Sequence, residues 1–218
     1  MTTFLLIPGA GGEPWFWHRV EAELTARGHD PVSVDLPGDD ESLGWTGYVA
    51  LALKALGERA DPVVVAQSMG AYTGTLVAAE IPVRHLVLLN PMIPAPGETA
   101  GVWWEAVGQE QARRDAGYED FDVDRDFFDG LPTDVVAELR KGGRNQSDAS
   151  FAAPYPLTAW PDVPTTVVVG RDDRLFPLDL QRRVARERLG LPVVEVPGGH
   201  LNALSHPVEV ADALVAVV

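Results

Sequence analysis

The residue types that perform nucleophilic acyl transfer occur in this chain in the order serine, aspartate, histidine, each just after a run of apolar residues. Ser68 follows "PVVVA", Asp172 and Asp173 follow "TTVVVG", and His200 follows "PVVEVPGG". In such a set the histidine removes the proton of the serine hydroxyl, and a carboxylate orients the imidazole and stabilises its cation. The order predicts a serine nucleophile, because ligands bind beyond the carboxyl ends of parallel strands, where such residues meet.

Ser68 lies in "AQSMG", between a predicted strand and a predicted helix. A nucleophilic serine at such a turn has strained backbone angles, and small residues two positions before and after it leave room for the turn. Ala66 and Gly70 occupy these two positions, with alanine where glycine is usual. The same pattern also fits a serine that caps the helix and has no catalytic role.

His200 is the candidate base, because it alone among the five histidines follows a strand at the predicted catalytic edge. Its predicted partner is Asp173, since only a carboxylate that points inward can hold the imidazole; the two adjacent aspartates could equally form a solvated turn. Asn90 ends another apolar run but is not an acid, so that strand offers no competing partner. The other histidines lie in a helix, before a strand, at a strand start and at a helix start: His18, His29, His85 and His206.

The apolar runs that must position these residues are continuous rather than alternating, which is typical of strands buried on both faces of a parallel sheet. Helical segments separate them, so the sequence predicts a mostly parallel, doubly wound α/β sheet with helices on both faces. The predicted strands span residues 3–8, 30–38, 62–66, 84–90, 165–170 and 192–198. The predicted helices span residues 15–27, 46–59, 70–80, 178–189 and 206–217.

Residues 91–162 interrupt this alternation. The segment is rich in proline and aromatic residues and contains no obvious strand. An insertion of this length between two strands is too long for an ordinary connection. We therefore expect it to form a small cap over the sheet edge, within a single domain that covers residues 1–218.

Composition narrows the functional classes. A chain of 218 residues that is 46% apolar and has a mean hydropathy near zero is typical of a soluble globular protein. A net charge of −15 disfavours nucleic acid as a partner. No apolar run reaches the length of a membrane span and the N-terminus lacks a basic leader, so we expect a cytoplasmic protein without a membrane partner. The absence of cysteine excludes a thiolate nucleophile and thiolate metal sites.

Together these motifs resemble the α/β-hydrolase superfamily, in particular the small esterases related to plant methylesterases and hydroxynitrile lyases. "FLLIPGAGGEPWFWHRV" resembles the "HGAxxxxWxW" opening of that group, "GRDDRLFP" fits its G-x-x-D followed by proline, and "PGGHLNALSHPVEVADAL" fits its terminal histidine segment. "FFDGLP" and "PLTAWPDVPTTVVVG" are similar to its cap and cap exit. The resemblance covers almost the whole chain, with two departures: Pro8 replaces the usual histidine and Ala66 the usual glycine.

The resemblance implies an esterase mechanism. The triad would be Ser68, His200 and Asp173, and the backbone N–H groups of Ala10 and Met69 would form the oxyanion hole. The substrate would be a small, apolar carboxylic ester, cleaved through an acyl-enzyme without a metal or organic cofactor. The expected substrate pocket lies between the strand ends and the cap, lined by some of five aromatic residues: Trp17, Trp103, Trp104, Phe127 and Phe128.

Other functions fit parts of the same pattern. A hydroxynitrile lyase would resemble its group in a threonine and a lysine where this chain has Ala10 and Leu201. A thioesterase, lactonase or cyclase of a small-molecule pathway would use the same triad. A hydrolase-fold protein that only binds its ligand would keep the fold without turnover. The sequence separates neither of the last two possibilities from an esterase, and it does not indicate the oligomeric state.

The choice of base gives a first prediction. We expect His200→Ala to be nearly inactive on an activated ester, because it removes the group that takes the serine proton, and His206→Ala to be near normal. Steady-state hydrolysis by the two purified variants checks this ranking. The opposite ranking would show that the base is misassigned.

Overall fold

The computed structural model describes residues 1–118 and 120–218, and its centre is a sheet of six strands in the order β2-β1-β3-β4-β5-β6. Every neighbouring pair is parallel. The strands are β1 (Thr3–Ile7), β2 (Asp30–Ser33), β3 (Val63–Gln67), β4 (His85–Leu89), β5 (Thr165–Gly170) and β6 (Val193–Val196). The predicted fold class is confirmed.

Helices cover both faces of the sheet. The longer ones are α1 (His18–Ala26), α2 (Trp45–Leu56), α3 (Gly70–Glu80), α9 (Leu178–Leu189) and α11 (Pro207–Val215). Short helices are α10 (Asn202–Ser205) and, between β4 and β5, α4 (Ala100–Ala106), α5 (Gln109–Asp115), α6 (Val123–Asp126), α7 (Thr133–Leu139) and α8 (Asp148–Ala152). A 3-10 helix, Pro14–Trp17, precedes α1. Among the described residues, none of these helices is long and apolar enough to cross a membrane.

Alternate strand residues form two separate cores. Leu5, Val64 and Leu86 point to the face covered by α2, α3, α9 and part of the 91–162 segment. Phe4, Val63 and Val87 point to the opposite face, under α1 and α11. Because both sides of the four inner strands β1, β3, β4 and β5 are buried, their sequences are largely apolar, which is the feature that predicted a parallel sheet.

Several element boundaries differ from the predictions. The run at 30–38 is a strand only over Asp30–Ser33, after which the chain turns away, although the Val34 N–H still donates to the Leu6 carbonyl at 2.9 Å. The helix at 15–27 is split by the initial 3-10 turn, in which Pro14 occupies the first turn. The helix at 206–217 begins at Pro207, since proline fixes the helical φ and has no N–H to satisfy.

The 91–162 segment contains α4 to α8 and, over its described residues, no strand. A buried ion pair holds it together: the Arg113 guanidinium donates to the Asp126 carboxylate at 2.8 Å. Burial acts to raise the pKa of Asp126, but hydrogen bonds from Arg125, the Asp122 N–H and Arg113 outweigh it, and the pKa lies well below its usual range. The division into one domain with a cap stays a prediction.

Helix α3 packs directly on β3 through two small residues. A Cβ at Gly74 would lie 2.5 Å from the Cβ of Ala66. Real carbon atoms do not approach so closely, so the methyl group at 66 is accommodated because residue 74 has none. The departure from glycine at position 66 is therefore matched by a glycine on the facing helix.

This contact predicts an unusual response to a helix-favouring substitution. Alanine stabilises a helix interior by up to about 1 kcal/mol over glycine, but overpacking a core costs about 1–3 kcal/mol. We expect Gly74→Ala to lower the thermal midpoint by a few degrees, and Ala66→Gly in the same chain to restore part of the loss.

A matched control is Gly47→Ala in α2, where the added Cβ would meet the end of the flexible Leu43 side chain. That variant should be neutral or stabilised in the same thermal melts. Equal stabilities of Gly74→Ala and Gly47→Ala would show that the contact with Ala66 does not restrict position 74.

Candidate active site

Ser68 occupies the sharp turn between β3 and α3, with a positive φ of 52°. Its N–H donates to the Leu89 carbonyl of the neighbouring strand at 3.0 Å, and its carbonyl accepts the N–H of Met92 at 3.0 Å. These bonds hold the residue in a backbone region that costs about 1–3 kcal/mol for a non-glycine residue. Gly70 passes so close to the carbonyl of Pro8 that a side chain there would collide with it. The turn thus requires a glycine two residues after the serine.

The side chains of Ser68, His200 and Asp173 form one hydrogen-bonded chain. The His200 Nδ1 lies 2.8 Å from the Asp173 Oδ2, and its Nε2 lies 3.0 Å from the Ser68 Oγ. Because a carboxylate only accepts, the imidazole carries its proton on Nδ1 and presents the Nε2 lone pair to the serine hydroxyl. Met69, not Ser68, is the N-cap residue of α3, and the Ser68 Oγ is bonded to His200, which argues against the helix-capping alternative.

This chain of groups is almost entirely shielded from solvent. The exposed fraction is 8% for Ser68, 3% for His200 and 1% for Asp173. The second oxygen of Asp173 accepts the Phe176 N–H at 2.8 Å, so the carboxylate has a fixed orientation. A buried and oriented carboxylate favours a single imidazole tautomer, which is the condition for proton transfer from Ser68.

Asp172 has a different environment. Its side chain is exposed, and its Oδ2 accepts the N–H of Gly198 at 3.0 Å. It therefore connects the loop after β5 to the loop that precedes His200, without reaching the imidazole itself. Of the two aspartates, the geometry favours Asp173 as the imidazole partner.

The two predicted oxyanion donors lie on either side of the serine. Met69 directly precedes α3, and the loop containing Ala10 passes Ser68 so closely that a Cβ at Gly9 would lie 3.0 Å from the Ser68 Cβ. Within the described residues, neither the Ala10 nor the Met69 N–H has a hydrogen-bond partner. Two unused amide donors beside a nucleophile are what a tetrahedral oxyanion requires.

The loop with Ala10 is held by its neighbours. The Gly12 N–H donates to the Gly9 carbonyl at 3.1 Å, and the Gly11 N–H donates to the Gln146 Oε1 at 3.0 Å. Gly11 and Gly12 both have positive φ, at 82° and 71°. Glycine tolerates these angles, so the loop can expose the Ala10 amide without strain.

The aromatic residues predicted to line a pocket fall into two groups. Phe127 contacts His200, with ring centroids 5.5 Å apart, and Trp104 packs on Phe176 at 5.5 Å. A groove of about 750 Å³ is lined by Trp104, Phe127 and the exposed Phe121. It also includes Leu175, from the loop after β5 that contains Asp173. This places two of the five predicted residues, Trp104 and Phe127, near the catalytic edge.

The remaining three predicted lining residues lie elsewhere. Trp17 has no exposed surface and packs in the core under α1, on the face of the sheet opposite to the 91–162 segment. Trp103 is 1% exposed, and its Nε1–H donates to the Ile93 carbonyl at 3.0 Å, beneath the groove. Phe128 is half-buried and does not line the groove. For Trp17 and Trp103 the expectation is corrected, because both side chains pack in the core. For Phe128 it stays a prediction.

Sequence reasoning missed two groups around His200. Phe176 meets the imidazole edge-on, with centroids 4.9 Å apart. The buried amides of Asn90 and Gln67 both donate to the His200 carbonyl, at 3.1 and 3.3 Å. The available signal was a polar residue at the end of β3 and another directly after β4, each following a run of buried apolar residues.

Comparison with known proteins identifies the family of the chain. A model described as "Alpha/beta hydrolase family" matches residues 4–213. No curated protein sequence matches the chain. The family predicted from the sequence motifs is confirmed.

Several solved structures share the fold over the whole chain. Polyneuridine aldehyde esterase has a TM-score of 0.81 at 17% identity, covering 100% of this chain and 99% of that one. A methylesterase from Arabidopsis has a TM-score of 0.79 at 17% identity, with 99% and 98% covered. A pyrethroid hydrolase from Sphingobium faniae JZ-2 has a TM-score of 0.77 at 20% identity, with 99% and 96% covered. At these identities the similarity establishes the fold alone.

The contrasting contacts of the two aspartates give a prediction. Asp173→Asn keeps the size of the side chain but favours the wrong imidazole tautomer, a change that costs about 10⁴-fold in a serine protease. Asp172→Asn retains an oxygen that can accept the Gly198 N–H, so we expect little loss. The measurement is kcat/KM on one activated ester for both variants, with circular dichroism to verify folding. If Asp172→Asn loses activity while Asp173→Asn keeps it, the acid of the triad is Asp172.

Proposed function

The chain belongs to the α/β-hydrolase family, and from this premise we propose that it is a serine esterase that cleaves small, apolar carboxylic esters through an acyl-enzyme. The observation that carries the proposal is the buried hydrogen-bonded chain from Ser68 through His200 to Asp173. Each of the three side chains has the partner that its role requires, and the nucleophile stands in a strained turn at the carboxyl edge of the sheet.

In the acylation step His200 removes the proton of the Ser68 hydroxyl as Oγ attacks the ester carbonyl carbon. The carbonyl π electrons move to oxygen, and the Ala10 and Met69 N–H groups stabilise the resulting negative charge. The imidazolium formed on His200 is stabilised by Asp173 and returns its proton to the departing alcohol. These steps leave the acyl group bonded to Ser68.

Deacylation repeats the sequence with water as the nucleophile. His200 removes a proton from the water, whose oxygen attacks the acyl carbon, and the same two amides hold the second oxyanion. When the carbon–oxygen bond to Ser68 breaks, His200 protonates the serine and the carboxylic acid is released. No step requires a metal or an organic cofactor.

The surroundings of His200 support an apolar substrate. Phe127 and Phe176 contact the imidazole in edge-to-face arrangements, and Phe127 also lines a groove in which the apolar side chains of Trp104, Phe121 and Leu175 lie beside charged ones such as Glu110 and Arg114. An apolar ester buries its hydrocarbon surface against such walls, which favours binding by roughly 25 cal/mol per Å². The proteins of similar structure include an esterase, a methylesterase and a pyrethroid hydrolase, which is compatible with this substrate class.

The proposed partner of the protein is a small-molecule ester. The net charge of −15 disfavours nucleic acid as a partner. Cytoplasmic location, predicted from the sequence, stays a prediction. Thioesters and lactones present the same carbonyl chemistry to Ser68, so a substrate panel containing all three classes identifies the preferred leaving group.

The direct test is Ser68→Ala. Removing the nucleophile should abolish hydrolysis of p-nitrophenyl esters, since losing a triad member costs on the order of 10⁴ to 10⁶ in rate. The wild-type protein should release a burst of p-nitrophenol equal to the enzyme concentration if deacylation is slower than acylation. Turnover like that of the wild type in a folded Ser68→Ala variant would overturn the proposal, and a wild-type protein that binds esters without any turnover would instead favour a ligand-binding role.

A further inference from the structure

We infer that Asn90 is a positioning residue for catalysis: its buried amide holds the backbone of His200, and thereby sets the reach of the imidazole to Ser68. This inference rests on the proposed esterase function. Asn90 directly follows β4, between the strand that leads to the nucleophile and the strand that leads to the acid. It touches neither the hydroxyl nor the imidazole, so its effect on the reaction is indirect.

The Asn90 side chain makes four hydrogen bonds, all to residues near the triad. Its Nδ2 donates to the carbonyl of His200 at 3.1 Å, to that of Gly199 at 3.4 Å and to the Oδ1 of Asn202 at 3.0 Å. Its Oδ1 accepts the N–H of Gly170, the last residue of β5, at 2.7 Å. One side chain therefore connects residues 197–200, the histidine loop, to β5, the strand that precedes the acid.

The polarity of these partners fixes the orientation of the amide. The Gly170 N–H can only donate, so the oxygen of Asn90 must face it, and the carbonyls of Gly199 and His200 can only accept, so the NH₂ group must face them. If the amide were flipped, its NH₂ group would face the Gly170 N–H and its oxygen would face the two carbonyl oxygens. The chemistry of the site thus selects an amide over the carboxylate of similar shape.

The backbone of Asn90 is as constrained as its side chain. The residue is fully buried and has a positive φ of 44°. Its N–H donates to the Val168 carbonyl of β5 at 2.9 Å. Such a conformation in a non-glycine residue costs about 1–3 kcal/mol and persists where the surroundings enforce it. Backbone strain at a residue that contacts the histidine loop is consistent with a functional constraint.

The histidine loop needs an external support of this kind. His200 follows two glycines after β6, a strand of four residues at the sheet edge, and Gly198 has a φ of 86°. Glycine permits many backbone conformations, so the residues before His200 do not by themselves determine the position of the imidazole. Gln67, the residue before the nucleophile, adds a second amide donor to the His200 carbonyl at 3.3 Å. The amides of Gln67 and Asn90 therefore support the loop at His200, in addition to the bond between Asp172 and the Gly198 N–H.

Two substitutions at position 90 separate positioning from packing. Asn90→Ala removes all four bonds, and we expect kcat on a p-nitrophenyl ester to fall roughly 10- to 100-fold with little change in KM, as for a reacting group displaced by a fraction of an ångström. Asn90→Asp preserves the shape and one acceptor. Its new carboxyl group can donate to a carbonyl only when it is protonated, and both burial and the facing carbonyls raise its pKa.

The pH profile of Asn90→Asp is therefore diagnostic. Below the pKa of the new carboxyl group the protonated form supports the loop; as pH rises through that pKa, a carboxylate faces the carbonyls of Gly199 and His200 and support is lost. We expect the rate of this variant to fall on the order of tenfold at high pH. The wild-type protein lacks this carboxyl group, so its rate should not fall in the same way at high pH. The nearby Asp172, Asp173 and His200 are the same in both proteins, so a new falling limb belongs to position 90.

The control is Thr75→Val, which removes another fully buried side-chain hydrogen bond, from Thr75 Oγ1 to the Ala71 carbonyl, within α3. It should lower the thermal midpoint without changing kcat per folded molecule. If Asn90→Ala behaves like this control, with kcat within about twofold of the wild type, the inference is overturned. If Asn90→Ala does not fold, Asn90→Asp decides: a pH profile identical to that of the wild type overturns the inference.

A measurement independent of turnover separates this inference from the proposed function. The proton NMR signal of His200 Nδ1–H, assigned by its loss in His200→Ala, reports the bond to Asp173. We expect it to shift or disappear in Asn90→Ala and to persist in Thr75→Val. A wild-type protein that hydrolyses no ester refutes the proposed function, yet the signal still tests Asn90: an unchanged signal in Asn90→Ala overturns the positioning role.

Discussion

The structure depends on one imidazole being within hydrogen-bonding distance of two partners that are far apart in the sequence. His200 is 132 residues from Ser68 and 27 residues from Asp173. A parallel sheet solves this problem because β3, β5 and β6 all end at the same edge, so the residues after them converge. The sheet order leaves β4 between the nucleophile strand and the acid strand, and Asn90, the residue directly after β4, lies where it can connect them.

Rigidity at this edge comes from backbone angles and buried amides acting together. Ser68 and Asn90 both have left-handed φ values, at the ends of neighbouring strands. Each is locked by hydrogen bonds to the adjacent strand, Ser68 through Leu89 and Asn90 through Val168. The strained turns are stable because the apolar strands before them are packed on both faces and cannot relax.

The sequence was sufficient for the fold and for the order of the polar residues at the strand ends. Continuous apolar runs predicted the parallel sheet, because burial on both faces removes the alternation that a half-exposed strand would show. It was insufficient for the aromatic residues: Trp17 and Trp103 lie in segments where a core residue and a pocket residue give the same apolar pattern. It also passed over Asn90, since an amide at a strand end has no chemistry of its own until the surrounding carbonyls are known. Distances between loops determine such roles, and spacing along the chain does not encode them.

The contact between Ala66 and Gly74 has a consequence for how sequences with this fold diverge. Because the space between β3 and α3 holds one methyl group, an ancestor with glycine at 66 could carry alanine at 74, whereas a chain with alanine at both positions is overpacked. The two positions are therefore expected to be epistatic: alanine at 66 leaves the core unstrained as long as residue 74 is glycine.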